Sequence, residues 1–191
     1  YTKNIRKLLA EISFKIYNSR PKNLIAVTGT NGKSSVSDFY YQILKLNNKK
    51  VASIGTLGVK SDGINLELTN TTSDPIQLGK ILSKLKKKGV QNVIMEASSH
   101  GLKQNRLDGL LFNSGIFTNF SQDHLDYHKN LRAYLKAKLY LFQNLVKNKG
   151  HIITDEKIPQ FSKIKKISIN RNLKLYKIND KSFFEILSHS Y

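Results

Sequence analysis

Two aspartates and two histidines fall within the short run Asp123-His124-Leu125-Asp126-Tyr127-His128, a concentrated supply of oxygen and imidazole ligands. A second polar stretch, Gly29-Thr30-Asn31-Gly32-Lys33-Ser34-Ser35, follows the apolar run Leu24-Ile25-Ala26-Val27 and reads as a phosphate-binding loop. Its glycines let backbone N–H groups turn inward, and a helix beginning near Lys33 adds the positive end of its dipole to the same spot. Lys33 would reach the β- and γ-phosphates, and Ser34 would present a hydroxyl to a magnesium ion. The spacing is the short G-x-x-G-K-S form, with Val27 where the longer pattern has glycine. A plain glycine turn with a chance Lys-Ser after it is the alternative. An apolar strand before the loop and an amphipathic helix after it favour the phosphate reading.

Two further groups could serve the same site. Glu96 ends the apolar run Val93-Ile94-Met95, and an acid at the carboxyl end of a strand beside a phosphate loop is a candidate magnesium ligand, direct or through water. A strand-end acid without a role is the competing account. Asn70, Thr71 and Thr72 offer hydroxyls and an amide to a polar ligand, but they precede Asp74-Pro75, which suits a helix N-cap with proline at the first helical position. Both readings stand.

The elements that must position these groups follow from periodicity. Ile5, Leu8, Leu9, Ile12 and Ile16 recur at helical spacing before the turn cluster Asn18-Ser19-Arg20-Pro21. A strand over Leu24 to Thr28, a helix over Lys33 to Leu46 and a strand over Val51 to Ile54 give a βαβ unit of a parallel sheet. A short hairpin is expected around Ser61-Asp62-Gly63, then a helix from Pro75 to Lys88 and strands over Val93 to Glu96 and Gly115 to Asn119. A helix from Leu131 to Val146 would place Tyr134, Lys138 and Leu141 on neighbouring turns. Strands are expected at His151 to Thr154, Ile164 to Ile169 and Lys174 to Ile178, with a short apolar piece at Phe183 to Leu187. The fold class is therefore α/β, a mostly parallel sheet flanked by helices.

The 191 residues suit a single domain, and 39% hydrophobic content is ordinary for a globular chain. The absence of cysteine excludes disulfides and thiolate metal sites and is compatible with a reducing cytoplasmic setting. No apolar stretch approaches bilayer-spanning length, so no membrane partner is expected. A formal net charge of +19 raises nucleic acid as a partner. The lysines are scattered, however, and the densest run, Lys84-Leu85-Lys86-Lys87-Lys88-Gly89, sits where a helix should end before a glycine cap. No specific nucleic-acid partner is expected, although salt-sensitive polyanion binding is.

Taken together, Thr28 to Ser34, Asn70 to Thr72, Met95-Glu-Ala-Ser-Ser-His-Gly101, Thr118-Asn-Phe-Ser-Gln-Asp-His-Leu-Asp-Tyr-His128 and Ala137-Lys138 resemble the Mur ligases. The likeness is greatest to the branch that adds the third residue of the peptidoglycan stem peptide. It covers roughly residues 22 to 150, five motifs in order. The resemblance implies a P-loop NTPase-like central domain, here incomplete: residues 1–191 would be that domain cut at its C-terminal end, without the N-terminal uridine-binding and C-terminal domains. It implies that Gly29, Thr30, Asn31, Gly32, Lys33, Ser34 and Ser35, with Asn119, hold ATP. By the same likeness Asn70, Thr71, Thr72, Ser98, Gln104 and Arg106 contact UDP-MurNAc-L-Ala-D-Glu. Ser34, Glu96, His124 and Lys138, the last as a carbamate, would hold Mg2+, with Lys33, His124 and Lys138 as catalytic residues. The implied chemistry is ATP-dependent amide formation with meso-diaminopimelate or L-lysine through an acyl phosphate, by a cytoplasmic monomer. Cut down to this domain, the chain is expected to be inactive alone. The rival readings are a folylpolyglutamate synthetase-like ligase and a noncatalytic basic binding fragment.

Overall fold

The computed structural model describes residues 4–178. Sixteen elements alternate along them, beginning with α1 (Ile5–Ile16), β1 (Asn23–Thr28), α2 (Lys33–Leu46), β2 (Val51–Gly55), β3 (Gly58–Ser61) and β4 (Ile64–Leu66). They continue with α3 (Pro75–Lys87), β5 (Asn92–Glu96), α4 (Ser99–Lys103), β6 (Phe112–Phe117), α5 (Leu125–His128) and α6 (Leu131–Tyr140). A π turn (Leu141–Leu145), β7 (Val146–Thr154), α7 (Phe161–Asn170) and β8 (Lys174–Lys177) complete them. The eight strands form one sheet in the order β4-β3-β2-β5-β1-β6-β7-β8. From β2 to β8 the pairings are parallel; only the β2–β3 and β3–β4 pairings are antiparallel.

The strands at the middle read as near-continuous apolar runs because helices cover both faces of a parallel sheet. Ala26, Val27, Val93, Ile94, Ala52 and Phe117 are wholly buried. The β1-α2-β2 unit exists, but β1 and β2 are not neighbours: β5 lies between them, with Leu24 and Ala52 both paired to Val93. The crossover spans one strand more than the sequence suggested. That insertion brings the carboxyl ends of β2, β5, β1 and β6 side by side, the place where open α/β sheets bind ligands.

Most expected elements are present, including the hairpin over Asp62-Gly63 and the Asp74 cap, whose side chain accepts from the N–H groups of Ile76 and Gln77. Three expectations require correction. Residues 164–169 form part of helix α7, not a strand: Ile164 and Ser168 are buried and Ile169 is exposed, the spacing of a helix that packs one stripe. The helix expected to reach Val146 ends at Tyr140 and passes through the π turn, so that Val146 is free to open β7 opposite Phe112. The strand expected from Gly115 begins earlier, at Phe112, and stops at Phe117, which leaves Thr118 and Asn119 to the loop beyond it. Phe183 to Leu187 lie outside the described residues.

Helix α1 packs on α3 and buries Ala10, Ser13 and Phe14, while Ile5, Leu8, Leu9, Ile12 and Ile16 form an exposed apolar stripe. It is pinned at its start by Asn4, which donates to the Asn105 side chain, and by Arg20 beyond its end, which donates to the carbonyls of Phe14 and Gly109. No described helix is long and apolar enough to cross a membrane.

Candidate functional site

Gly32 is the N-cap of α2 with φ +81°, a conformation that glycine adopts without strain. The bend turns the chain into the first turn of α2, where Lys33 and Ser34 face a cavity of about 460 Å³. Lys33 folds back on its own loop, its ammonium donating to the carbonyls of Thr30 at 2.8 Å and Gly29 at 3.1 Å. Burial lowers the Lys33 pKa, opposed by the negative charges of Glu96 and Asp123.

The loop after β6 buttresses the phosphate loop from the other side. Asn119 accepts from the Asn31 N–H at 2.9 Å and donates to the Asn31 carbonyl at 3.2 Å, and Thr118 Oγ1 donates to that carbonyl at 2.6 Å. Thr30 N–H donates to the Asn119 carbonyl, and the Thr30 hydroxyl meets both Ser121 and the Tyr134 hydroxyl. Gly29, Thr30, Asn31, Gly32, Ser35 and Asn119 thus shape the loop without lining the cavity, whereas Lys33 and Ser34 open onto it.

Across the cavity, β5 delivers Glu96, buried at 3% exposure. Its carboxylate is held by one residue: Thr56 donates its backbone N–H to Oε1 at 3.0 Å and its hydroxyl to Oε2 at 3.3 Å. The turn before α3 packs alongside. Thr72 is buried, its hydroxyl 2.9 Å from the Glu96 carbonyl, 3.0 Å from Ser98 Oγ and accepting the Ser98 N–H. Ser98 also caps α4 by accepting the Gly101 N–H. Arg106 donates to the Thr72 carbonyl at 2.6 Å and to Gln104, and Gln104 donates to the Tyr127 hydroxyl. Asp74 caps α3, as its position before Pro75 suggested, while Asn70, Thr71 and Thr72 line the cavity, the Thr72 hydroxyl being engaged within the protein.

The third wall comes from the loop after β6 and from α6. His124, half exposed in a left-handed conformation, lies with Nε2 3.4 Å from Asp123 and its ring edge-on to His100. Lys138 is 1% exposed. Its ammonium donates to the Gly29 carbonyl at 2.6 Å and sits 4.3 Å over the Tyr134 ring. Burial, with the charge of Lys33 beside it, pulls the Lys138 pKa down to about 7. His128 turns inward, its Nε2 3.0 Å from Ser99 Oγ and its Nδ1 without a partner.

One cavity therefore gathers Lys33, Ser34, Asn70, Thr71, Thr72, Glu96, Ser98, Gln104, Arg106, His124 and Lys138, from five separated stretches of chain. It also takes in Thr56, Ser99 and His100, which sequence reasoning did not single out. Thr56 carried one usable signal, its place just past the carboxyl end of an apolar strand. Among the described residues no group of three His, Cys, Asp or Glu side chains could hold a metal alone. One buried carboxylate and one hydroxyl at the mouth of a phosphate loop still fit magnesium, which keeps water and takes ligands from substrate phosphates rather than from an all-protein cage.

Known proteins resemble this chain in sequence and in fold. A diaminopimelate-adding ligase of Rickettsia montanensis, named UDP-N-acetylmuramoyl-L-alanyl-D-glutamate--2,6-diaminopimelate ligase, is 42% identical over 97% of this chain and 40% of its own length. A solved structure of a ligase of that name, 31% identical, superposes with a TM-score of 0.78 over 93% of this chain and 37% of the other. A folylpolyglutamate synthase of Mycobacterium tuberculosis, solved with ADP, shares the fold at TM-score 0.71 and 11% identity, over 90% of this chain and 46% of its own. The chain thus spans about 40% of the length of the curated relatives it matches. The profile of the Mur ligase middle domain matches residues 27–189, from the end of β1 onward and across every wall of the cavity, and by that match the chain belongs to the Mur ligase family.

Proposed function

We propose that this chain is the nucleotide-binding middle part of an ADP-forming ligase that joins diaminopimelate to UDP-N-acetylmuramoyl-L-alanyl-D-glutamate. The observation that carries the reading is a single cavity faced by the loop lysine, the strand-end Glu96 and the Asn70 to Thr72 turn. The relatives' names support the substrate and favour diaminopimelate over lysine as the added amino acid. The ADP complex of the shared fold supports the nucleotide.

ATP would lie along the loop Gly29 to Ser35, with Lys33 leaving its backbone acceptors for the β- and γ-phosphates. Asn70, Thr71, Ser98, Gln104 and Arg106 would hold the acidic substrate against the opposite wall. A carboxylate oxygen of that substrate attacks the γ-phosphorus, ADP leaves, and an acyl phosphate remains. The amine of the incoming amino acid then attacks the acyl carbon, and the tetrahedral adduct expels inorganic phosphate to leave the amide. Lys33 and Arg106 bring positive charge between two anions that repel each other, a preorganised electrostatic contribution. Glu96, Ser34 and His124 would hold magnesium, which supplies further charge neutralisation at the phosphates. Lys138 would join them as a carbamate. Its lowered pKa leaves much of the amine neutral near pH 7, the form that adds carbon dioxide, and the product is an anionic oxygen ligand.

The test is nucleotide binding and turnover. Lys33→Ala is expected to slow ADP release by a hundredfold or more, a loss of about 3 kcal/mol in the transition state, and to weaken binding of a fluorescent ADP by about tenfold, while leaving the thermal transition in place. ADP release from the intact polypeptide with the muramyl dipeptide and diaminopimelate supports the reading. Release only with a folate and glutamate moves the site to the folylpolyglutamate class. Polyanion binding without nucleotide preference would make it a noncatalytic basic module.

A further inference from the structure

The geometry points to the Thr56 hydroxyl as a relay that couples occupancy of the acidic-substrate wall to occupancy of the cation carboxylate, an inference that rests on the function proposed above. Among the described residues, Thr56 is the one whose hydroxyl meets both the Glu96 carboxylate and the Thr71 hydroxyl. Its hydroxyl lies 3.3 Å from Glu96 Oε2 and 3.0 Å from Thr71 Oγ1. A hydroxyl has a single proton. With that proton given to the carboxylate, Thr56 can only accept from Thr71, so the Thr71 proton is spent inside the protein. Thr71 then faces the cavity as an acceptor, the wrong polarity for a carboxylate or phosphate.

A divalent cation on the Glu96 carboxylate reverses this. Held there, it would compete with the Thr56 hydroxyl for Oε2; the Thr56 proton then turns to Thr71, and the Thr71 proton becomes available to an anionic substrate. Apart from the cation's own bond to the Glu96 carboxylate, only hydrogen bonds change. The Thr56 backbone N–H to Oε1 keeps Glu96 in place while the hydroxyl reorients. Thr56 is thus a positioning residue whose effect is on the coupling between two ligands, and such coupling is reciprocal. Its exposed side chain makes substitution compatible with folding.

The measurement is the affinity of the intact polypeptide for UDP-N-acetylmuramoyl-L-alanyl-D-glutamate by titration calorimetry, without and with saturating Mn2+, together with Mn2+ affinity by electron paramagnetic resonance. Wild type and Thr56→Ser should both bind the substrate about tenfold more tightly with the metal present. Thr56→Val leaves the charges of the site unchanged, so any coupling it retains is direct electrostatics; it should fall to about threefold or less, with Thr71→Val falling likewise and the double substitution no further. Undiminished coupling in Thr56→Val, or its absence in wild type, overturns the relay while leaving the function intact. Failure of wild type to bind either ligand overturns the function itself and the relay with it.

Discussion

At Gly55 the backbone passes so close to the Glu96 carboxylate that a Cβ would overlap its side-chain atoms. Glycine is required there for close approach rather than for an unusual φ. Gly55→Ala is expected to push Glu96 off its two Thr56 donors, weakening Mn2+ binding by tenfold or more and costing about 1–3 kcal/mol of stability through overpacking; calorimetry and a urea melt would separate the two effects. His128 gives a second residue-scale prediction. Burial, with the positive charges of Lys103, His100, His124 and Lys138 around it, lowers its pKa to about 4 from the ordinary 6.5. The unfolded chain therefore takes up the proton first, and stability is lost as pH falls from about 6.5 to 4, then levels off. Urea midpoints across that range should fall for wild type, and the difference from His128→Asn should vanish if the imidazole is not the cause. Glu96 was legible in the sequence because it ends an apolar run. Thr56 was legible only as the residue past a strand end, because its bond to Glu96 exists only when β2 lies beside β5, and those strands are separated by a hairpin and a helix.

The elements were legible where local chemistry agrees with packing. Asp74-Pro75 announces the start of α3, and removing the cap with Asp74→Ala should cost about 1 kcal/mol, with Asp74→Ser recovering most of it in the same denaturation assay. Helix α7 was misread because Ile164, Ile167 and Ile169 suggest a strand by residue type, while the buried pair Ile164 and Ser168 follows the helical period. The π turn had no local signal. It arises because Leu141, Phe142 and Leu145 must all face the core immediately before Val146 joins the sheet.

At the scale of the molecule, the strand order is what chain sequence conceals. Apolar periodicity marks each strand, but only the sheet places β5 between β1 and β2 and so draws four loops from distant stretches to one edge. The same order has a consequence for how the protein breathes. Strands β5, β1 and β6 have neighbours on both sides, whereas β4 is a three-residue edge strand with two exposed residues. Deuterium uptake should therefore be slowest at Ala26, Val27, Val93 and Ile94, whose amides open only with the whole fold, and faster at Ile64 to Leu66, where the hairpin can detach by itself. Equal protection in the two places would mean that the sheet opens as one unit. With the gradient expected here, the phosphate loop hangs from the most slowly exchanging strand in the protein, and ligands can order or release the surrounding loops without disturbing the strand that holds them.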